Sequence, residues 1–446
     1  MMMLEVVFTI SIFVLTSSAE KLSIDGQRVV DQLTKLATFS DHQNPAVTRI
    51  LFTPNDMMAR SYVKELMTSA GLTIREDAMG NIFGRFEGSD ATLGSVLTGS
   101  HCDAIPLAGM YDGTLGVIGA IEALAALKKA GYKPRRALEV MMFTSEEPTR
   151  FALSCVGSRA MSGALTSEYL SSKLDENGTS FLEAANAVGY GSSTYHQLLQ
   201  DALVPKGKID YFVELHIEQG PELEKESKDI GVVTAIAAPA ALKVEFHGDG
   251  GHAGAQLMPL RNDAGLAGAE LALAVERHTL ATGSVDSVGT TGVFEIKPGA
   301  VNSVPREARL GIDIRDIDGV RRDKTVESVR ASAKEIAERR NVRHTVTLVN
   351  QDPPAICNSD IQTAVAEAAK ELGLSTKSMV SRAYHDSLFM ARIAPTGMIF
   401  IPCKNGYSHR PDEFSSVKDI QQGVHVLALT MAALSGGSWP QDKSEL

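Results

Sequence analysis

Cysteine is scarce: four residues in 446, Cys102, Cys155, Cys357 and Cys403, with no Cys-x-x-Cys pair among them. That spacing excludes a zinc ribbon and a disulfide framework, so the fold must rest on its apolar core. Basic residues are outnumbered as well, 43 Lys and Arg standing against 54 Asp and Glu for a net charge of −11. A chain of that sign offers no basic surface to phosphate backbones or anionic headgroups, and no nucleic-acid partner is expected. Long apolar runs are also missing. The strongest at a terminus, Val6 to Leu15, is too short to cross a bilayer, so no membrane span is expected in the mature chain. Followed by the small residues Thr16 to Ala19, it resembles a secretory leader. Residues 1–20 are therefore expected to be a signal segment directing the chain to the endoplasmic reticulum or secretory pathway. The alternative is a buried N-terminal strand in a cytoplasmic protein. On the secretory route, Asn177-Gly178-Thr179 in a polar loop is the one plausible glycosylation acceptor.

What is present is ordinary globular material, 44% hydrophobic and 22% charged, enough for two domains with separate cores. Collagen-like, disordered and coiled-coil architectures are excluded. Helical and strand patterns alternate from about residue 25 to 227. Ser95–Thr98 and Leu138–Phe143 are expected as buried strands around a helix over 113–130, a right-handed crossover unit. Near Gly231 the character changes to glycine-separated strands, an Ala-rich helix over 262–278, two strands around Pro298-Gly299, a helix over 324–339 and a strand over 345–349. The expected fold is α/β: a mostly parallel sheet with helices on both faces, interrupted by a smaller α+β satellite domain. The expected bounds are 1–20 for the signal segment, 21–229 and 348–446 for the two parts of the catalytic domain, and 230–347 for the satellite.

Four strand-end clusters carry chemical groups. His101 ends a strand and Asp112 opens the following helix, a pairing suited to zinc or manganese, although taken alone it reads first as a capped strand-end histidine and a helix N-cap. Glu146 and Glu147 leave a buried strand side by side and repel each other, so either a cation holds them or they form a solvated acidic turn. Strand alternation over 214–220 puts Glu214, His216 and Glu218 on one face. His409 follows another apolar run, Gly397 to Pro402. Together these positions supply what two hydrolytic metals about 3.5–4 Å apart require.

In this order, with an insertion between the third and fourth, the clusters resemble the dinuclear metallohydrolases of the aminoacylase and carboxypeptidase type. The marks are Gly99-Ser100-His101, Tyr111-Asp112-Gly113, Ser145-Glu146-Glu147, Leu215 to Pro221, Gly250 to Gly254, Asp313-Ile314-Arg315 and Ser408-His409. The nearest branch hydrolyses allantoate, N-carbamoyl-L-amino acids or ureidoglycolate. The resemblance implies that Asp112 bridges two ions, with His101 and His216 on one and Glu147 and His409 on the other. It implies Glu146 as general base, two manganese ions per subunit (zinc, cobalt or nickel being possible) and a homodimer built through the satellite domain. His252, Asn302 and Arg315 would bind the substrate, His252 often from the partner subunit, and Gln219, Tyr384 and His385 would lie near the pocket. Without the family, His252 reads as a loop histidine, Asn302 as a turn residue and Arg315 as one half of a surface ion pair.

All three substrates present a carboxylate and a ureido nitrogen, so the pocket wall must separate them. Ser145-Glu146-Glu147-Pro148 differs from the Asp-Glu-Glu-Gly form of allantoate-hydrolysing relatives, and Pro148 stiffens the loop beside the base. Tyr384 stands where relatives usually carry glycine and would offer a hydroxyl to a small hydroxylated substrate. Together with the stretches Thr234 to Lys243 and Met398 to Cys403, these marks most resemble the ureidoglycolate-hydrolysing members, and that resemblance implies hydrolysis of (S)-ureidoglycolate to glyoxylate, ammonia and carbon dioxide, with allantoate or carbamoyl amino acids as alternatives. A different class, a catalytically dead carboxylate-binding homologue, is disfavoured because Glu146 and all five ligand positions are present.

Overall fold

The computed structural model describes residues 22–440; the signal-like segment lies outside them. The described chain forms two compact units. One runs to Thr234 and adds Cys357–Met379 and the chain from His385 onward, while the other comprises Ala235–Ile356 and Val380–Tyr384.

Numbered in chain order, the larger sheet contains β1 (Thr73–Glu76), β2 (Ile82–Phe86), β3 (Ser95–His101), β4 (Leu138–Phe143), β5 (Ile209–Ile217), β6 (Ile230–Ile236), β11 (Thr376–Ser381) and β12 (Thr396–Ile401). The sheet order is β6-β12-β5-β3-β4-β2-β1, with β11 and the short strand Ala355–Ile356 added on β6. Only the centre, β12-β5-β3-β4, is parallel; β6, β2 and β1 join antiparallel. The sheet is therefore mixed rather than mostly parallel. The physical reason is connection length: β1 and β2 are joined by residues 77–81, enough for a hairpin and too short for a parallel crossover.

Helices cover both faces, α2 (Pro54–Ser69) and α7 (Ser359–Glu371) among them. α3 (Thr114–Lys129), apolar nearly all round, is buried between the sheet, α1 (Gly26–Ala37) and α8 (Val417–Ser435). Val29, Leu33, Leu115, Leu124, Val213 and Val424 share that core. On the opposite face Phe143, Met161 and Phe212 pack with Met390, α4 (Val156–Met161) lying over β4.

In the second unit four antiparallel strands, β7 (Ala238–His247), β8 (Val288–Lys297), β9 (Glu307–Asp316) and β10 (Arg343–Gln351), order as β8-β9-β7-β10. Alternation along β9 buries Ala308, Leu310, Ile312 and Ile314 under α5 (Ala264–Leu280) and α6 (Gly319–Arg340). Among the described residues no helix is long and apolar enough to cross a membrane.

Candidate metal centre and active site

Parallel strands point their carboxyl ends the same way, and in such sheets ligands gather at that edge. His101 closes β3 opposite Phe143 of β4, His216 sits in β5 opposite Phe400 of β12, and Glu146–Glu147 and His409 follow β4 and β12. Asp112 enters from the mouth of α3. It is not the N-cap: that position belongs to Gly113, whose positive φ of 65° suits glycine and whose missing side chain leaves room for the His101 ring, which a Cβ would meet at 2.3 Å. The Asp112 carboxylate is thereby free to face the imidazoles.

Its two oxygens divide the surroundings. Oδ1 lies 3.1 Å from His216 Nε2 and 3.7 Å from His101 Nε2, while Oδ2 lies 3.1 Å from His409 Nε2. His409 Nε2 is also 3.4 Å from Glu147 Oε1. Two three-residue groups, His101–Asp112–His216 and Asp112–Glu147–His409, thus share one carboxylate. The rings are fixed from behind: Nδ1 of His101 faces the Asp103 carbonyl at 3.1 Å and Nδ1 of His216 the Ile217 carbonyl at 2.8 Å. An N–H donated there leaves Nε2 of each ring as the nitrogen that could bind a cation, that of His216 accepting the Gly113 N–H at 3.2 Å. Nitrogen and carboxylate donors with a shared Asp fit a pair of divalent cations such as manganese or zinc.

Glu146 stands beside the first group. Its Oε2 is 3.7 Å from His101 Nε2, and the Cys155 thiol donates to Oε1 at 3.4 Å. The Cys155 backbone N–H also donates to the Glu146 carbonyl at 2.9 Å, and both Ser145 and Cys155 adopt positive φ, so the turn after β4 is clamped against the start of α4.

Two carboxylates absent from the sequence-based site hold this arrangement. Asp103 accepts the backbone N–H of Glu146 at 3.1 Å and of Glu147 at 2.9 Å, one on each oxygen. Glu413 accepts the N–H groups of Tyr111 and Asp112 at 2.8 and 3.0 Å through Oε1, and the Ser408 hydroxyl at 3.0 Å through Oε2. Ser408 Oγ and the Gln219 amide both reach Asp112 Oδ2, at 3.1 and 3.0 Å. Gln219 therefore lies in the cluster, supporting the shared carboxylate.

Charge accounts for the cluster's appetite for cations. Asp103, Asp112, Glu146, Glu147 and Glu413 are all buried. Burial pushes Glu146 well above the usual carboxylate range, reinforced by Glu147 and Asp386 against the opposing pull of His101. Burial and the Asp112 charge raise Glu147 to about 7. Asp112 is held low despite its burial because three imidazoles hydrogen-bond to it, and the Asp112 carboxylate lifts His409 to about 9. Five buried acids against three imidazoles leave an excess of negative charge that bound cations would offset.

The remaining predicted residues separate. His385 is buried with its ring edge-on to His216, centroids 4.7 Å apart, and could join His216 and Glu214 in a third cluster. Glu214, however, is occupied by the hydroxyls of Ser100 at 2.7 Å and Ser387 at 2.6 Å. Glu218 does not share the site face: β5 ends at Ile217, and Glu218 accepts the backbone N–H groups of Glu222 and Leu223 at a helix start. In the second unit, His252 is exposed, and its Nδ1 accepts from the N–H groups of Gly254 at 3.1 Å and Ala255 at 3.3 Å, which turns Nε2 outward as the donor nitrogen. Asn302 is its neighbour, accepting the Ala253 N–H at 2.9 Å. Arg315 is paired with Asp313 at 2.9 Å and donates to the Arg382 carbonyl at 3.2 Å. The Tyr384 hydroxyl is not free for a substrate; it donates to Asp352 at 2.6 Å, the carboxylate being the stronger acceptor within reach.

The chain is similar to known proteins over nearly its whole length. It is 56% identical over 420 residues to ureidoglycolate hydrolase of Arabidopsis thaliana, covering 94% of this chain and 88% of that one. It is 55% identical over 414 residues to ureidoglycolate hydrolase of Oryza sativa subsp. japonica, covering 92% and 85%. Crystal structures of AtUAH in complex with (S)-hydroxyglycine and with glyoxylate superpose with a TM-score of 0.85 at 55% identity, covering 94% of this chain and 99% of theirs. The model of peptidase family M20/M25/M40 matches residues 97–433, a span that opens at β3 and takes in every residue of both metal-binding groups. A shared carboxylate between two histidine-bearing strand ends is the centre of a metal-dependent hydrolase, and this chain belongs to peptidase family M20/M25/M40.

Proposed function

We propose that the protein is a ureidoglycolate amidohydrolase of ureide (purine) catabolism, cleaving (S)-ureidoglycolate to glyoxylate, ammonia and carbon dioxide. The observation that carries this reading is the 56% identity to a ureidoglycolate hydrolase across almost the whole chain, with Glu146 and both metal-binding groups in place.

His101, Asp112 and His216 would hold one ion and Asp112, Glu147 and His409 the other, two manganese ions per subunit by family resemblance. A divalent pair supplies positive charge that acidifies water and offsets charge developing on the ureido carbonyl. Glu146, raised by burial, takes the proton of the attacking water at Oε2 and returns it to the departing nitrogen. Hydrolysis of the ureido C–N bond releases carbamate, which falls to ammonia and carbon dioxide. The remaining hydroxyglycine sheds ammonia to leave glyoxylate. Arg315 and Asn302 bind the substrate carboxylate, and the outward Nε2 of His252 donates to the developing oxyanion. For Arg315 this means exchanging its Asp313 partner for substrate, and Tyr384 and His385 complete the wall.

The homodimer is built through the second unit. Supporting it, Leu266, Leu273 and Leu280 recur every seven residues along α5 at 45%, 62% and 73% exposure, and Val293, Phe294 and Ile296 are exposed on the edge strand β8. We also place the protein in the endoplasmic reticulum, on the leader-like pattern of Val6 to Ala19.

Steady-state kinetics with manganese on (S)-ureidoglycolate and allantoate test the substrate assignment. The expected kcat/KM strongly favours ureidoglycolate, and an equal or greater value for allantoate overturns it. A preparation that takes up no transition metal would instead point to a carboxylate-binding homologue.

A further inference from the structure

The segment Asp175–Thr179 closes a tight turn. Asp175 N–H donates to the Thr179 carbonyl at 2.9 Å and Gly178 N–H to the Asp175 carbonyl at 3.0 Å, while Asp175 Oδ1 accepts the N–H groups of Asn177 and Thr179. Leu174 and Ser180 bridge across the base, and Ser180 caps the helix Phe181–Ala187. Arg150 anchors the turn by donating to Asp175 Oδ2 at 3.0 Å and to the Leu51 carbonyl at 3.1 Å. The tip is left to solvent. Asn177 is exposed, its carboxamide makes no hydrogen bond among the described residues, and Gly178, at a φ of 79°, has open space where a side chain would be. Asn177-Gly178-Thr179 is also the single Asn-x-Ser/Thr triplet in the sequence.

We infer that Asn177 is an N-glycosylation site, an inference that rests on the secretory reading above. The amide nitrogen would displace the diphosphate of a lipid-linked oligosaccharide at its anomeric carbon. The N–C bond forms, the C–O bond to the lipid diphosphate breaks, and the amide proton is lost to base. Transfer precedes folding, so an acceptor persists only where the folded chain can carry a bulky polar group. Asn177 meets that condition because Asp175 and the backbone make every contact that shapes the turn, so a glycan displaces none of them. It would stand at the rim of a cavity of about 770 Å³ walled by Pro148, Thr149, Phe52 and Ile105, next to the loop that bears Glu147.

Translation of the full chain with microsomes tests this, run in parallel with the same chain behind a heterologous cleavable leader that forces entry. The expected result is a single mobility shift in both, removed by peptide N-glycosidase F, mapped to Asn177 by mass spectrometry and abolished by Asn177→Gln. Protease-protected chain without that shift behind the heterologous leader overturns the site. A shift with the heterologous leader alone supports the acceptor and overturns the secretory reading. Purified Asn177→Gln is expected to keep its kcat/KM, since the residue touches no part of the metal-binding groups.

Discussion

The Cys155 thiol sits 3.4 Å from Oε1 of Glu146, leaving Oε2 as the oxygen that faces His101. Cys155 is fully buried, and burial together with the Glu146 and Asp386 carboxylates holds its thiol well above the ordinary range, so it remains a donor. This contact selects which oxygen of Glu146 is available to water. Cys155→Ala is expected to lower kcat about 10-fold, the worth of roughly one hydrogen bond to a charged group, with KM, metal content and Tm nearly unchanged. Cys155→Ser should restore most of the loss. Equal losses in both variants, or a change confined to KM, would show that the thiol does not orient the base.

Glu146→Gln keeps the shape of the site and removes its proton acceptor. Turnover should fall by about 10²–10⁴-fold while both metals stay bound. Near-normal turnover in a metal-loaded preparation would refute the assignment of Glu146 as base.

Asp103→Ala strands two buried N–H groups, those of Glu146 and Glu147, at a cost of about 1–3 kcal/mol each. Because one of those residues is a proposed ligand and the other the proposed base, metal affinity and kcat should both fall, each by about 10–100-fold. Asp103→Asn, which retains one acceptor, should lie between wild type and Ala. Titration of metal uptake alongside kinetics separates the two losses.

Removing the metals should expose the acidic cluster. In the metal-free protein Glu147, raised to about 7 from 4.5, disfavours the folded state increasingly as pH climbs through that interval. His409, raised to about 9 from 6.5, contributes stability that is present below 6.5 and lost as pH rises through 9. Both signs agree, so the metal-free Tm should decline from about pH 5 to pH 9. Metal binding needs deprotonated ligands, and at 100 times Kd it adds about 2.7 kcal/mol. The gap in Tm between loaded and stripped protein should therefore widen with pH; a constant gap in calorimetry would contradict the ligand set.

On the proposed homodimer, a His252→Ala chain and a Glu146→Gln chain, each expected to be inactive alone, should regain activity when mixed and allowed to exchange subunits. That outcome requires His252 to serve the partner's site. No recovery in verified mixed dimers would confine His252 to its own subunit.

Much of the centre was legible because each strand end advertises itself: an apolar run followed at once by His or paired Glu has few structural uses. His101, Asp112, Glu147, His216 and His409 could be named from that pattern together with the family resemblance. The supports were harder to read. Glu413 meets Asp112 across 301 residues of chain, a pairing that only the folded sheet creates. Asp103 was in plain view two residues after His101, but its role depends on the β4 loop arriving beside it. Strand alternation does not extend to Glu218, which lies one residue beyond the end of β5. Tyr384 looked available only because its partner, Asp352, lies 32 residues earlier. Strand direction leaves no mark in the apolar runs of β2 and β4, which look alike whichever way they run, so a mixed sheet is not legible in them.

The position of β12 bears on how the chain is made. It lies between β5 and β6, although about 160 residues separate it from the end of β6 in order of synthesis. A nascent chain that has emerged only through β10 therefore has β5 and β6 with the strand between them still unmade, and it carries His101 and His216 without His409. Four of the five candidate ligands exist at that stage, beside unpaired backbone edges that invite association with other chains. Completion of the second candidate cation group and closure of the sheet then become one late event, and truncations or destabilising changes in the last fifty residues should surface first as aggregation during synthesis rather than as a catalytic defect.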